Sequence, residues 1–472
     1  MSGLMNDALS YFSNQLSGFS TNTFKIMPQG KTSGIVSGDI LTINLPSNSI
    51  MDLKSFQLHL AATVDGTTAR LPNGIQSLIQ RVEILAGGVQ LAQGVQYYNT
   101  LVKVKEALCD KLCNPVAGHP DIIRNGNPLD GTDIGAGVTT AEPTPGAFLA
   151  DTDSPFVIDR WEGFLGSAAP RYLDLSLLPD VQIRLYMASN NVLTASATNA
   201  AGAGLVLAQG SNVFTDPSTG VTPATYSVSN VFATCELISL ADVSYDNMLT
   251  EMMAQQSFLE VPFKAYYSFS QGHNGSSRFQ VSSQSIDRIW SAWQYNGGVK
   301  VGPDATGRKY PYTAQSAPIP VLGYAPNPLV ESKHASGEEK YTAAWECFQQ
   351  PVRGMEMQYQ LNGAMIPQTP LTSSELLPFS GHNLPPGKYV NDELTMAQYL
   401  KSNFVQCLRL NMAGSEDGRI LSGIDSRSAN LQGLLNTTGT TFIADEPYNS
   451  FIVVETTATV RILPGRAISV IS

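Results

Sequence analysis

A short motif occurs twice, once in each half of the 472-residue chain. Ile79-Gln80-Arg81-Val82 precedes Gly87-Gly88-Val89, and Ile286-Asp287-Arg288-Ile289 precedes Gly297-Gly298-Val299. The two leading isoleucines stand 207 positions apart, from 79 to 286. Solenoid repeats have periods of about 20–50 residues, so this repeating unit is a whole domain. Each copy follows an alternating segment, Phe56-Gln57-Leu58-His59-Leu60 or Arg278-Phe279-Gln280-Val281, which marks strands. A Gly-Gly pair accepts the positive φ angles of a two-residue hairpin turn. The spacing therefore predicts two related β domains in tandem, with Ile79, Arg81, Gly87 and Gly88 marking the same strand and turn as Ile286, Arg288, Gly297 and Gly298. The two arginines are expected at equivalent structural positions, without a catalytic role.

The rest of the chain extends this pattern. Leu41, Ile43 and Leu45, then Phe56, Leu58, Leu60, Ala62 and Val64, alternate with polar neighbours, as strands with one buried face do. Tyr226–Leu240 reads as a long strand with Val231, Ala233, Cys235 and Leu237 on one face and Val228, Phe232, Thr234 and Glu236 on the other. Gly/Pro/Thr/Ala-rich stretches at 114–155, 195–225 and 302–336 read as long surface loops. Tyr97–Cys113 and Asp242–Ala254 have helical spacing, and the second is the candidate linker. In residues 1–33, Leu4, Leu9, Phe12 and Leu16 form the apolar stripe of a short amphipathic helix, an arm whose apolar face is expected to rest under its own domain or, as an assembly arm, on a neighbouring subunit, the lack of Lys and Arg weakening a membrane surface as the third option. Many strands, long loops and no βαβ alternation point to an all-β fold: two tandem eight-stranded jelly-roll barrels with a few short helices.

Charged residues make up only 14% of the chain and its formal net charge is −11. A sparse charge pattern leaves little to discourage association. The acidic balance, with no Lys/Arg cluster, argues against direct nucleic-acid binding. Lys103, Lys105 and Lys111, interspersed with Glu106 and Asp110, read as a solvated helix face. The five histidines stand singly, and no phosphate loop, nucleophile elbow or dinucleotide fingerprint occurs. Cys109 and Cys113 lie on one helix face but lack a second pair for zinc. No catalytic residue, cofactor or metal is expected. Five cysteines suit a reducing compartment, and the opening residues lack the pattern of a secretory leader. Trp290 and Trp293 are expected as core or interface anchors.

An ordered series of motifs goes further. The first half carries Ser77-Leu78-Ile79-Gln80-Arg81-Val82-Glu83-Ile84, Tyr97-Tyr98-Asn99-Thr100-Leu101 and Leu173-Asp174-Leu175-Ser176-Leu177-Leu178-Pro179, followed by a junction at 231–249. The second half carries Ser285-Ile286-Asp287-Arg288-Ile289-Trp290, Tyr359-Gln360-Leu361-Asn362-Gly363-Ala364-Met365-Ile366-Pro367 and Ser422-Gly423-Ile424-Asp425-Ser426. Over residues 35–472 the series resembles the double-jelly-roll major capsid proteins of tailless icosahedral DNA viruses. It is nearest in look to those of polinton-like viruses, virophages and large eukaryotic DNA viruses. The resemblance implies an arm at 1–33, a first jelly roll at 34–250 and a second at 251–472. It further implies a homotrimer of pseudo-hexagonal outline that tiles a shell with neighbouring capsomers, penton and minor capsid proteins. The location implied is the virion, assembled in the host cytoplasm or nucleus, and a membrane beneath the shell is compatible with it. The alternative function is a secreted or fibre-type carbohydrate-binding β-sandwich protein.

Overall fold

The computed structural model describes residues 19–109, 156–199, 225–295, 348–412, 421–441 and 448–472, apart from short stretches within them, and separate strand segments between 205 and 343. The apolar stripe Leu4, Leu9, Phe12 and Leu16, the pair Gly297-Gly298, and the stretch 114–155 lie outside the described residues.

In the first half, eight strands carry the architecture: β1 (Phe19–Ile26), β2 (Ile40–Asn44), β3 (Gln57–Asp65), β4 (Ile79–Ala86), β5 (Val89–Gln96), β6 (Phe156–Ile158), β7 (Val181–Met187) and β8 (Thr225–Leu240). They pair antiparallel in two sheets, in the orders β1-β8-β3-β6 and β2-β7-β4-β5. In the second half the strands are β9 (Leu259–Gly272), β10 (Ser276–Val281), β11 (Ile286–Tyr295), β12 (Val352–Leu361), β13 (Ala364–Thr372), β14 (Val405–Arg409), β15 (Leu431–Thr441) and β16 (Tyr448–Leu463). Their orders are β9-β16-β11-β14 and β10-β15-β12-β13. Adding eight to every strand number of the first half reproduces the second, so both halves share one topology. That topology, with the chain passing back and forth between two packed sheets, is the jelly roll.

Alternation is what closes each barrel. In β7, Val181, Ile183, Leu185 and Met187 are buried while the residues between them are not, so one face of the sheet lines the core. The long strand β8 keeps its expected buried set, Val231, Ala233, Cys235 and Leu237, but Val228 is buried on that same side. A β-bulge accounts for the difference. The register against β3 shifts between Ser229 and Phe232, and Asn230 takes a left-handed φ of 52°. The extra residue returns Tyr226 and Val228 to the core.

Among the helices, the longer ones are α1 (Tyr98–Leu108) after β5, α2 (Val243–Gln256) between the halves as the spacing predicts, and α3 (Ser373–His382) after β13. Helices α1 and α3 occupy the same place in their respective barrels.

The duplicated motif requires a correction. Ile79 and Arg81 lie on β4, whereas Ile286 and Arg288 lie on β11, whose topological counterpart is β3. The arginines are therefore not at equivalent positions. The hairpin that matches β4–β5 is β12–β13, turning at Asn362-Gly363. There φ is 48° and 90°, against 56° and 84° at Gly87-Gly88, the two positive angles of one turn type. A second correction concerns the arm. Residues 19–26 are an edge strand, β1, paired in register with β8 from Phe19↔Leu240 to Ile26↔Ala233.

The stretches read as plain loops also contain strands. Thr194–Asn199 pairs with Glu339–Ala343, and Leu205–Leu207 pairs with Lys300–Pro303, so segments from the two halves build common small sheets. Successive strands cross each barrel in opposite directions, so the links after odd-numbered strands share one end. The long connections after β5, β7 and β11 all leave there, and the shared sheets hold these ends of the two barrels on the same side. The start of β1, the helix α2 and the closing segment Ala467–Ile471 belong to the other end.

Candidate assembly interface

The two barrels meet through α1. Its sequence, Tyr98-Asn-Thr-Leu-Val-Lys-Val-Lys-Glu-Ala-Leu, leaves only Lys105 and Glu106 short of full burial. The lysine face read as solvated is thus covered, because the helix lies between its own barrel and the sheet β9-β16-β11-β14. Period-3.6 spacing reports which side of a helix is apolar, and a second contact made through polar groups such as Lys105 is not revealed that way.

Lys105 is the centre of this contact. Its Nζ donates to Glu162 Oε2 at 2.7 Å and to the Tyr266 hydroxyl at 2.7 Å, and lies 3.7 Å from Glu455 Oε2. Tyr266 in turn donates to Glu162 Oε2 at 2.8 Å. Glu455, at the middle of β16, accepts from Arg288 Nη1 at 3.2 Å and from Trp290 Nε1 at 3.2 Å. Arg288 also donates from Nε to the carbonyl of Asn383 at 3.2 Å. A neighbouring group repeats the theme: Lys264 Nζ donates to Asp287 Oδ2 at 2.8 Å and to Thr457 Oγ1 at 3.0 Å. Glu162 and Lys105 come from the first half, while Tyr266, Arg288, Trp290 and Glu455 come from the second.

Burial by itself would raise the Glu455 carboxyl, but Lys105, Arg288 and Lys264 outweigh it and hold it at about 2. Burial would likewise depress Lys105, and Glu162 and Glu455 reverse this, raising it above the ordinary lysine value. Both groups stay charged at neutral pH. Desolvation pushes the Tyr266 hydroxyl well up, with Glu162 and Glu455 adding to it, so it remains a neutral donor. Buried charges at this depth are tolerated only when paired and hydrogen-bonded, and removing one partner of such a set is far more costly than never building it.

Apolar and backbone contacts complete the junction. Tyr97 meets Phe451 edge-on at 5.6 Å, and Phe164 meets Phe263 at 5.2 Å. The Ala169 N–H donates to the Pro262 carbonyl at 3.0 Å, Asn403 Nδ2 to the Ala107 carbonyl at 2.9 Å, and Cys109 bridges to Val390.

The sequence-predicted markers separate accordingly. Arg81 is partly exposed, ion-paired with Glu83 and set against the Tyr186 ring. Arg288 is fully buried within the junction. Ile286 is bridged to Ile424, and a Cβ on Gly423 would lie 2.4 Å from the Ile286 carbonyl oxygen, so two of the second-half motifs are parts of one contact. Gly87 packs on Pro179, where an added Cβ would come within 2.8 Å. Trp290 bonds into the charge cluster and Trp293 fills the barrel core beside Phe404. His59 lies half-buried beside Thr234 and stacked on Phe232. Among the described residues no group of three or more His, Cys, Asp or Glu side chains is placed to hold a metal, and no helix is long and apolar enough to cross a membrane. The sequence reading missed Glu162, Tyr266 and Glu455. Glu455 alone carried a signal, an acid in the otherwise uncharged run from Phe451 to Val460.

No protein-family model matches the chain, and no curated protein matches it in sequence. The likeness is structural. The chain is similar to VP54 of PBCV-1, in a crystal structure fitted into a reconstruction of the virophage Sputnik, at 12% identity, covering 98% of this chain and 99% of that one, with a TM-score of 0.56. It is also similar to the Faustovirus major capsid protein, at 9% identity, covering 98% and 92% of the two chains, with a TM-score of 0.51. The fold is the double jelly roll of these proteins.

Proposed function

We propose that this chain is the major capsid subunit of an icosahedral virus, a structural protein that works by association without a catalytic step. The observation that carries the reading is the whole-chain match of both barrels, in order, to the Faustovirus major capsid protein. The buried junction supports it, since a subunit that tiles a lattice must present its two barrels as one rigid tile. In this reading the chain forms a homotrimer whose six barrels approximate a hexagon. The trimers pack with neighbouring capsomers, penton and minor capsid proteins in the virion shell. We assign residues 19–242, β1 included, to the first barrel, 243–256 to the linker, and 257–472 to the second barrel. Residues 1–18, with Leu4, Leu9, Phe12 and Leu16, serve as the assembly arm.

The native mass of the purified chain tests this. A particle of three chains is expected, and a stable monomer at micromolar concentration would overturn it. Truncation of residues 1–18 separates the arm's roles: trimers that persist but no longer assemble further are expected.

A further inference from the structure

Beside the charge cluster, one lysine and one carboxylate are held more tightly than an ion pair requires. Lys264 lies on β9 and Asp287 on β11, the two strands that flank β16, and Thr457 of β16 stands directly across from Lys264. Asp287 reaches this position through a β-bulge. Ile286 pairs with Thr456 and Arg288 with the adjacent Glu455, so Asp287 is the extra residue of its strand. A bulge re-aims the side chain it carries, and here it sets the carboxylate against Lys264. The surrounding backbone pins it. The Leu410 N–H donates to the Asp287 carbonyl at 2.8 Å, Ile286 and Ile424 exchange hydrogen bonds at 2.9 and 3.1 Å, and the Thr457 N–H donates to the Ser285 carbonyl at 2.9 Å.

Three side chains form a closed path for a proton. Lys264 Nζ donates to Asp287 Oδ2 at 2.8 Å and to Thr457 Oγ1 at 3.0 Å, while Thr457 Oγ1 donates to that same Oδ2 at 2.5 Å. The other carboxyl oxygen, Oδ1, accepts from Ser285 Oγ at 2.8 Å. Water has little access: the Asp287 side chain is 3% exposed and that of Lys264 12%, and Thr457 and Ser285 are buried. Ser167 of the first half closes over the lysine by accepting from its backbone N–H at 2.8 Å. Keeping two charges away from water is costly, and a proton passed from the ammonium to the carboxylate through Thr457 leaves a neutral amine facing a neutral acid. Groups fixed in alignment about 3–3.5 Å apart react as if at very high concentration.

We propose that Lys264 and Asp287 condense in the folded chain to an isopeptide bond that staples β9 to β11 across β16. Nζ attacks Cγ of the protonated acid, and the negative charge that develops on Oδ1 is held by the Ser285 hydroxyl, as a donor placed in advance stabilises an oxyanion. The nitrogen then gives a second proton through Thr457 to Oδ2, the Cγ–Oδ2 bond breaks, and Oδ2 leaves as water. An ammonium and a carboxylate have become a neutral amide and one water, with no oxidant or other reagent consumed. Lys105, Tyr266 and Glu162 form a similar triangle, but the Glu162 side chain is 32% exposed, so water competes there and that pair stays ionic. The bond closes the chain between residues 264 and 287 within the sheet that faces the first barrel.

The test is the intact mass of the full chain, measured under denaturing conditions after the folded protein has been aged in neutral buffer. The wild type is expected one water below its sequence mass, and proteolytic digestion should give a branched peptide that carries both Lys264 and Asp287. Lys264→Arg keeps the charge but has no amine to condense, and is expected to retain the water. Thr457→Val keeps both partners and removes the proton path, and is expected to retain it as well. A wild type that stays at its full sequence mass overturns the proposal without recourse to any variant. So does a loss of water that maps to an Asp-Gly pair, such as Asp65-Gly66 or Asp130-Gly131, and is regained in mild alkali, since a cyclic imide hydrolyses there and an amide does not. Equal loss of water in Thr457→Val overturns the path through that hydroxyl.

Discussion

Replacing Glu455 with Gln keeps the size of the side chain and removes one charge from the centre of the barrel junction. The wild-type carboxyl titrates at about 2 against an ordinary 4.5, a gap that corresponds to about 3 kcal/mol of stability. Breaking a buried ion pair by removing one partner costs about 3–5 kcal/mol, so two routes agree on the size. The sign follows from the direction of the shift. A carboxyl whose folded value is depressed contributes fully above about 4.5 and loses that contribution as the pH falls from there toward about 2. The penalty of Glu455→Gln should therefore be about 3 kcal/mol at pH 7, smaller at pH 3.5, and near zero by pH 2. Denaturant unfolding followed by tryptophan fluorescence suits the measurement, since the indole of Trp290 donates to this carboxylate. A penalty below about 0.5 kcal/mol at pH 7, or one that does not change with pH, would refute the assignment of Glu455 as the charge that ties Lys105 to Arg288.

Other expectations follow from local geometry. Gly423→Ala drives a methyl against the Ile286 backbone, which cannot rotate away, and should lower stability by about 1–3 kcal/mol with loss of soluble yield. Asn230→Gly should be tolerated while Asn230→Val should cost about 1–2 kcal/mol, because the bulge needs a left-handed residue; paired denaturation curves decide it. Thr372→Ala removes the capping box of α3, in which Thr372 and Glu375 hold each other's backbone, and should cost about 1 kcal/mol by the same assay.

How far the residues alone disclose this architecture depends on the kind of information each level needs. Period-two alternation identified strands such as β3 and β8 because burial of one face is written into every second residue. The same alternation recurs in strand after strand, so it carries no label saying which strand is which. That is why Ile79 and Ile286 looked like copies although one lies on β4 and the other on β11. The turn was the better marker: Asn362-Gly363 shares its backbone angles with Gly87-Gly88, and angles survive a change of residue that string matching does not. The fate of α1 was hidden for a different reason. Lys105 is buried by partners more than fifty residues away, Glu162, Tyr266 and Glu455, and a lysine beside a glutamate in a helix looks the same whether water or a second barrel lies beyond it. The pairing of Thr194–Asn199 with Glu339–Ala343 joins segments too polar and too small-residued to show strand periodicity.

The separation of the barrel ends bears on how such a chain can change. Connections after β5, β7 and β11 leave from one end, while the start of β1, the linker α2 and the closing Ala467–Ile471 occupy the other. Lengthening a link at the first end leaves the ladders, and the charge cluster between the barrels, in register. A peptide grafted into one of those links and a tag fused after Ser472 would therefore project from opposite poles, so the chain can serve as a two-sided display scaffold in which cargo and targeting segment do not meet.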